Sequence, residues 1–220
     1  MSFQGEVEVQ CPKQCEPFDA RVWTFINGEK SPELRQTVLA RECNMLLCDS
    51  CGGHFFPEVP FIYYEPAREF LAFVFPESFR ERELFWRDKM HEDFLKFKES
   101  FGKAVSLDLE PELFFGPEGL AVLLEQEDYK GEEREVMEFL AKELGLGLYQ
   151  VSPGFARKYG IPTTLPFHPP QRAPELEGVL EGLRRLVEAN DRLVSFKSVM
   201  DDLGKDGAVL PPSSKVAQPS

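Results

Sequence analysis

Cys11-Pro12-Lys13-Gln14-Cys15 and Cys48-Asp49-Ser50-Cys51-Gly52-Gly53 decide how this chain of 220 residues is read. Each stretch sets two thiols a few residues apart among turn-forming residues. The strand-like Val7-Glu8-Val9 precedes the first pair, and the second lies between Met45-Leu46-Leu47 and Phe55-Phe56. A tight turn of this kind points two sulfurs and several backbone N–H groups at one centre, which explains a Pro inside the first turn and Gly just after the second. Two such turns on adjacent hairpins supply four sulfurs. A closed all-sulfur tetrahedron selects zinc as a structural ion, with Cys11, Cys15, Cys48 and Cys51 as its ligands. The alternative for the same residues is a set of buried or free thiols. Ligand gaps of two to four residues suit zinc, so the three-residue gap of the first pair is an altered knuckle. The 32 residues between Cys15 and Cys48 exceed the usual separation of about 15–20 and require an inserted element. Ser31-Pro32-Glu33-Leu34, an N-cap followed by Pro at the first helical position, predicts a helix to about Ala40 that fills the space.

Working outward, Ala20–Phe25, Phe61–Tyr64 and Phe70–Phe75 are alternating or aromatic, β-branched runs separated by Asn27-Gly28, Gly52-Gly53 and Glu65-Pro66, so residues 1–77 are expected to form an antiparallel, zinc-ribbon-like β domain. After Pro76 the period changes to about 3.6. Trp86, Met90, Phe94, Phe97 and Phe101 line one helical face, and a second helical region is expected from Pro117 to Gly145, broken at Tyr129-Lys130-Gly131. Residues 78–146 therefore read as a helical part packed on the β domain. An irregular Pro/Gly-rich loop is expected over 147–173, a helical segment over 174–203, and a disordered tail over 204–220. The fold class is α+β.

Composition narrows the function. The hydrophobic fraction of 42% and charged fraction of 29% are those of an ordinary globular chain, and the 20 Phe residues need a core or a binding surface. With 25 Lys and Arg against 38 Asp and Glu, the net charge of −13 disfavours a nucleic-acid partner. No segment has the length and apolarity of a membrane helix, and the first residues lack the layout of a signal peptide, so a cytoplasmic protein is expected. Of the five Cys residues, Cys43 is the spare; it reads as a buried small side chain or a substitute ligand, and His54 is a second substitute.

The residues Val7-Glu8-Val9-Gln10-Cys11-Pro12 with Cys15, then Asn27, Ser31-Pro32-Glu33-Leu34, Cys48-Asp49-Ser50-Cys51-Gly52, Pro60, Tyr63-Tyr64, Pro66 and Phe73-Val74-Phe75-Pro76-Glu77 resemble the CpXC domain family of bacteria and archaea. The likeness runs from about residue 5 to 145. It carries over Cys11, Pro12, Cys15, Cys48 and Cys51 as motif positions, while the first pair has one residue more than the family's gap and Asp49 stands where Pro is common. The resemblance implies a zinc-binding domain without an established reaction.

No HExxH, Walker-type, GxSxG or dinucleotide motif is present. No catalytic residue is assigned. The leading reading is a non-enzymatic zinc module that meets a protein partner or forms a homo-oligomer. The other classes are a nucleic-acid-binding zinc ribbon and a thiol redox or zinc-dependent enzyme. For the redox class, Cys48-Asp49-Ser50-Cys51 would have to open a helix, whereas Gly52-Gly53 and Phe55-Phe56 read as turn and strand.

Overall fold

A computed structural model of the chain describes residues 1–101, 109–205 and 208–213, and the side chains of Phe97, Ser100 and Phe101 are not described. Two compact units divide at Glu125/Gln126.

In the first unit, the strand-like runs become β1 (Phe3–Val9), β2 (Phe18–Asn27), β5 (Phe61–Glu65) and β6 (Phe70–Phe75). The predicted helix is α1 (Pro32–Leu39), with Ser31 at the N-cap and Pro in its first turn. The second cysteine pair sits between the short strands β3 (Leu46–Leu47) and β4 (His54–Phe55), which pair antiparallel. A fifth strand of the main sheet, β7 (Glu112–Phe115), follows α2 (Glu83–Phe101), giving the order β1-β2-β5-β6-β7.

The α+β class holds, but the main sheet is mixed. β1–β2 and β5–β6 are antiparallel, whereas β2–β5 and β6–β7 are parallel. Parallel neighbours need a crossover, and α1 and α2 lie in those two connections. The sheet therefore extends to Phe115, past the expected boundary at residue 77.

Both faces of β6 are buried, and successive side chains take opposite sides. Phe70, Ala72 and Val74 pack with Leu34 and Val38 of α1 and with Leu120 and Leu124 of α3 (Pro117–Glu143). Leu71, Phe73 and Phe75 pack with Met90 and Phe94 of α2, where Trp86 stacks on Phe79 at 4.3 Å. The aromatic stripe of α2 thus covers the sheet as far as Phe94; the expected continuation through the Phe97 and Phe101 side chains lies outside the described residues. A buried carboxylate ties α1 to this sheet: Glu65 accepts from Arg35 Nε at 2.9 Å and pairs with Arg68 Nε at 3.2 Å, and it also accepts the Tyr63 hydroxyl.

The second unit corrects three expectations. The α3 helix runs unbroken through Tyr129-Lys130-Gly131, because Gly131 has open space around it and one helical Gly costs only about 1 kcal/mol. The stretch 147–173 is not irregular throughout: β8 (Gly147–Gln150) and β9 (Thr164–Phe167) pair antiparallel around α4 (Pro153–Tyr159), whose N-cap Ser152 accepts from the Phe155 N–H. Part of the expected tail is ordered. Tyr149 donates its hydroxyl to the Pro211 carbonyl at 2.5 Å, Ser152 N–H reaches Pro212 O, and Leu210 joins the core, while 206–207 and 214–220 lie outside the described residues.

The core of this unit is apolar. Val179, Leu183 and Leu186 of α5 (Leu176–Ala189) are fully buried with Leu165, Phe167, and Phe196 and Val199 of α6 (Val194–Leu203). At Gly182 a methyl group would lie 2.6 Å from the Pro166 carbonyl and Phe167 Cα, so α5 rests directly on the backbone of β9.

Candidate metal centre

The centre is assembled by two turns. In the β1–β2 connection the Gln14 N–H closes back on Cys11 O at 2.8 Å, which bends the chain and turns Cys15 toward Cys11. In the β3–β4 hairpin, Gly52 N–H donates to Cys48 O at 2.8 Å and Cys48 N–H to Gly53 O at 2.9 Å. Both turns pass through the left-handed region, at Gln14 (φ 59°) and at Gly52 (φ 65°). Glycine takes that conformation without a Cβ clash, whereas a side chain costs roughly 1–2 kcal/mol there. The extra residue of the first pair accordingly occupies the position of the bend, and the turn still delivers its sulfur.

One ligand atom from each of Cys11, Cys15, Cys48 and Cys51 lies within 4.8 Å of every other, and Cys11 Sγ is 3.7 Å from Cys51 Sγ. The four cysteines that sequence spacing paired are brought together, and the group can hold a metal ion. Cys11 and Cys48 are buried, Cys15 is half-buried and Cys51 is exposed, so the cluster lies at the edge of a small core made with Val9 and Phe55. Phe18 packs edge-to-face on Phe55, with ring centroids 6.2 Å apart.

The protonation pattern follows from this crowding. Backbone N–H groups of Cys51 and Ser50, working against burial, pull the Cys48 thiol down to about 7. For Cys11 the Lys13 N–H favours the thiolate, but burial and the Cys51 and Cys48 sulfurs push the thiol upward overall. The Cys51 and Cys48 sulfurs, then burial, push Cys15 up to about 12. Four thiols this close give up their protons together only to a cation that takes their place.

The two substitute ligands stay out of the group. Cys43 packs in the sheet core beside Val38 and Phe61, and burial pushes its thiol up to about 11; His54 is an exposed residue of β4. Sequence spacing did not single out Lys13 as part of the site. A methyl group on Gly53 would lie 3.6 Å from Lys13 Nζ and 3.4 Å from Cys51 Sγ, so the Lys13 side chain borders the second turn at Gly53. Only its place inside the first turn could have signalled this.

Residues 9–116 match the family model described as CpXC protein. This segment belongs to the CpXC family. The CpXC match takes in both cysteine turns, α1 and β2 through β7, and stops just before α3, short of the expected span to residue 145. No curated protein and no solved structure matches the chain. Among the described residues no helix is long and apolar enough to cross a membrane.

Proposed function

We propose that Cys11, Cys15, Cys48 and Cys51 of the CpXC domain hold one zinc ion as a structural clip, and that the domain is a non-enzymatic module offering its surface to a protein partner or a second copy. The observation that carries this is the mutual 4.8 Å limit on the four sulfurs. Thiolates about 2.3 Å from a tetrahedral zinc lie about 3.8 Å apart, and Cys11 and Cys51 already stand at 3.7 Å. An all-thiolate donor set favours zinc over hard cations. Zinc so held would supply folding free energy, on the order of 10 kcal/mol in small modules. The chain's own residues would do the rest: the Cys51, Ser50 and Lys13 N–H groups favour the thiolate forms, and Lys13 offsets the negative charge. With four protein sulfurs around one ion, no position would remain for a substrate. Exposed Met45 and Leu47, beside the second turn, supply apolar surface suited to protein contact.

Cobalt substitution and sedimentation velocity test the two parts. The expected result is one Co(II) per chain with the intense absorption of tetrahedral thiolate coordination, lost in Cys48→Ser. Self-association or partner capture should weaken in Leu47→Lys while the cobalt spectrum persists. Octahedral cobalt spectra would overturn the metal reading, and association indifferent to Leu47→Lys would overturn this contact surface.

A further inference from the structure

In the second unit an extended stretch of the chain's own C-terminal part, Leu210-Pro211-Pro212-Ser213, lies on the β8–β9 hairpin. Leu210 packs on the apolar core and Pro211 is buried. Two successive carbonyls are held by donors: the Tyr149 hydroxyl reaches Pro211 O at 2.5 Å, and the Ser152 N–H reaches Pro212 O at 3.0 Å. Ser213 then bridges Val151 in antiparallel fashion. The flanks face solvent, with Val209 82% exposed and Pro212 and Ser213 on the surface.

The two donors owe their positions to other parts of the unit. Tyr149 belongs to β8, which pairs with β9, and Val151 gives its N–H to Thr163 O at 2.8 Å. Ser152 is fixed as the N-cap of α4, where its hydroxyl accepts from the Phe155 N–H. The segment they hold has the chemistry of a docked peptide. Consecutive prolines have no N–H to satisfy and keep the backbone extended, so the segment offers only carbonyls and apolar groups and loses little freedom on docking. Main-chain bonds combined with seats for particular side chains are a recurring way of recognising extended segments. Donors that accept this sequence within the chain present the same bonds to the same chemistry arriving from outside.

We propose that the surface formed by Tyr149, Val151, Ser152 and the adjoining core is a recognition site for an extended Leu-Pro-Pro-Ser-like segment of a partner protein. The chain's own Leu210–Ser213 occupies it as an autoinhibitory strap that the partner's segment displaces. The site lies in the second unit and does not depend on what the cysteine centre holds.

The test uses the full chain and, as the probe, an acetylated and amidated Val-Leu-Pro-Pro-Ser peptide. Leu210→Asp sets a charge where the strap meets the core and frees the site without altering Tyr149, Val151 or Ser152. The Val151 and Ser152 amide resonances of Leu210→Asp should shift saturably with peptide, with a dissociation constant on the order of 0.1 mM. Wild type should bind about tenfold more weakly, because a short tether holds the strap at an effective concentration on the order of 1 mM. Tyr149→Phe added to Leu210→Asp should weaken binding about fivefold or more, and Val-Asp-Pro-Pro-Ser should not bind. No saturable shift in Leu210→Asp, or binding indifferent to Tyr149→Phe, would overturn the proposal. Self-association of wild type that Leu210→Asp abolishes would give the site to a second copy and overturn the partner reading. If Leu210→Asp does not fold, native-state hydrogen exchange of wild type decides. The Ser152 amide, bonded to the strap, should exchange at least about tenfold faster than the Val151 amide, bonded to Thr163; equal rates would show that the strap does not lift, contradicting the proposal.

Discussion

The corner that carries the cysteine turns and the unit Gln126–Ser220 bury their residues by different means. Val9 and Phe55 share the first core with two thiols, Cys11 and Cys48, and half-buried neighbours complete it. The second core is cysteine-free: Val179, Leu183 and Leu186 meet Leu165, Phe167, Phe196 and Val199. Apolar burial stabilises roughly in proportion to area, so the larger core contributes more stability of its own, and the proposed metal clip would add to that of the smaller one. The comparison teaches that the four clustered cysteines stand at the smaller of these two cores, while Cys43 packs in the main sheet core.

The largest effect should come from removing the proposed ion. Chelation, or Cys11→Ser, is expected to expose the amides of residues 8–20 and 46–55 to hydrogen exchange and leave those of α5 and β9 protected. Loss of protection in both places would break the comparison. Next, Leu183→Ala should destabilise the second unit by about 3–4 kcal/mol in denaturant unfolding, with metal content unchanged. Gly182→Ala, which sets a methyl group 2.6 Å from backbone atoms of β9, should cost about 2–3 kcal/mol in the same assay.

Acid should act on the cysteine corner first. Protons compete with the ion for thiolates, so stability conferred by metal is present at neutral pH and is lost as pH falls, before the second unit unfolds. Metal release followed with a chromophoric chelator during acidification should precede the loss of helical circular dichroism. The smallest effect sharpens the comparison between the two turns: Gln14→Gly relieves a left-handed side chain at φ 59° but frees the unfolded chain, so it should change stability by no more than about 1 kcal/mol. Gly52→Ala, at φ 65°, should cost about as much as Gln14→Gly can gain.

Much of the first unit was legible because its signals are local. Pro beside Cys11, Gly after Cys51, Ser31-Pro32 and the aromatic alternation of Phe70–Phe75 each state their conformation within a few residues. Strand β7 was not legible: Leu113-Phe114-Phe115 is short, follows Pro111 and pairs parallel to β6, so no hairpin turn announces it. The mixed direction of the sheet has the same cause, since strand direction depends on where crossover helices deliver the chain. In the second unit the proline-rich composition hid order. Ser152-Pro153 is an N-cap followed by a first-turn Pro, and Pro166 sits inside β9, where α5 lies against the strand's backbone at Gly182. The ordered part of the C-terminal stretch depends on Tyr149 and Leu210, contacts across long sequence separation that composition does not reveal. The cysteine site was legible in membership, while the exposure of Cys51 and the place of Lys13 required the fold.

The most direct test of the account is elemental analysis of protein purified without added metal and without a histidine tag. The account predicts one zinc per chain, and its absence, together with loss of the residue 8–20 and 46–55 protection, in Cys11→Ser and Cys48→Ser. A folded chain that contains no metal and keeps that protection, with its four clustered thiols open to alkylation, would contradict it.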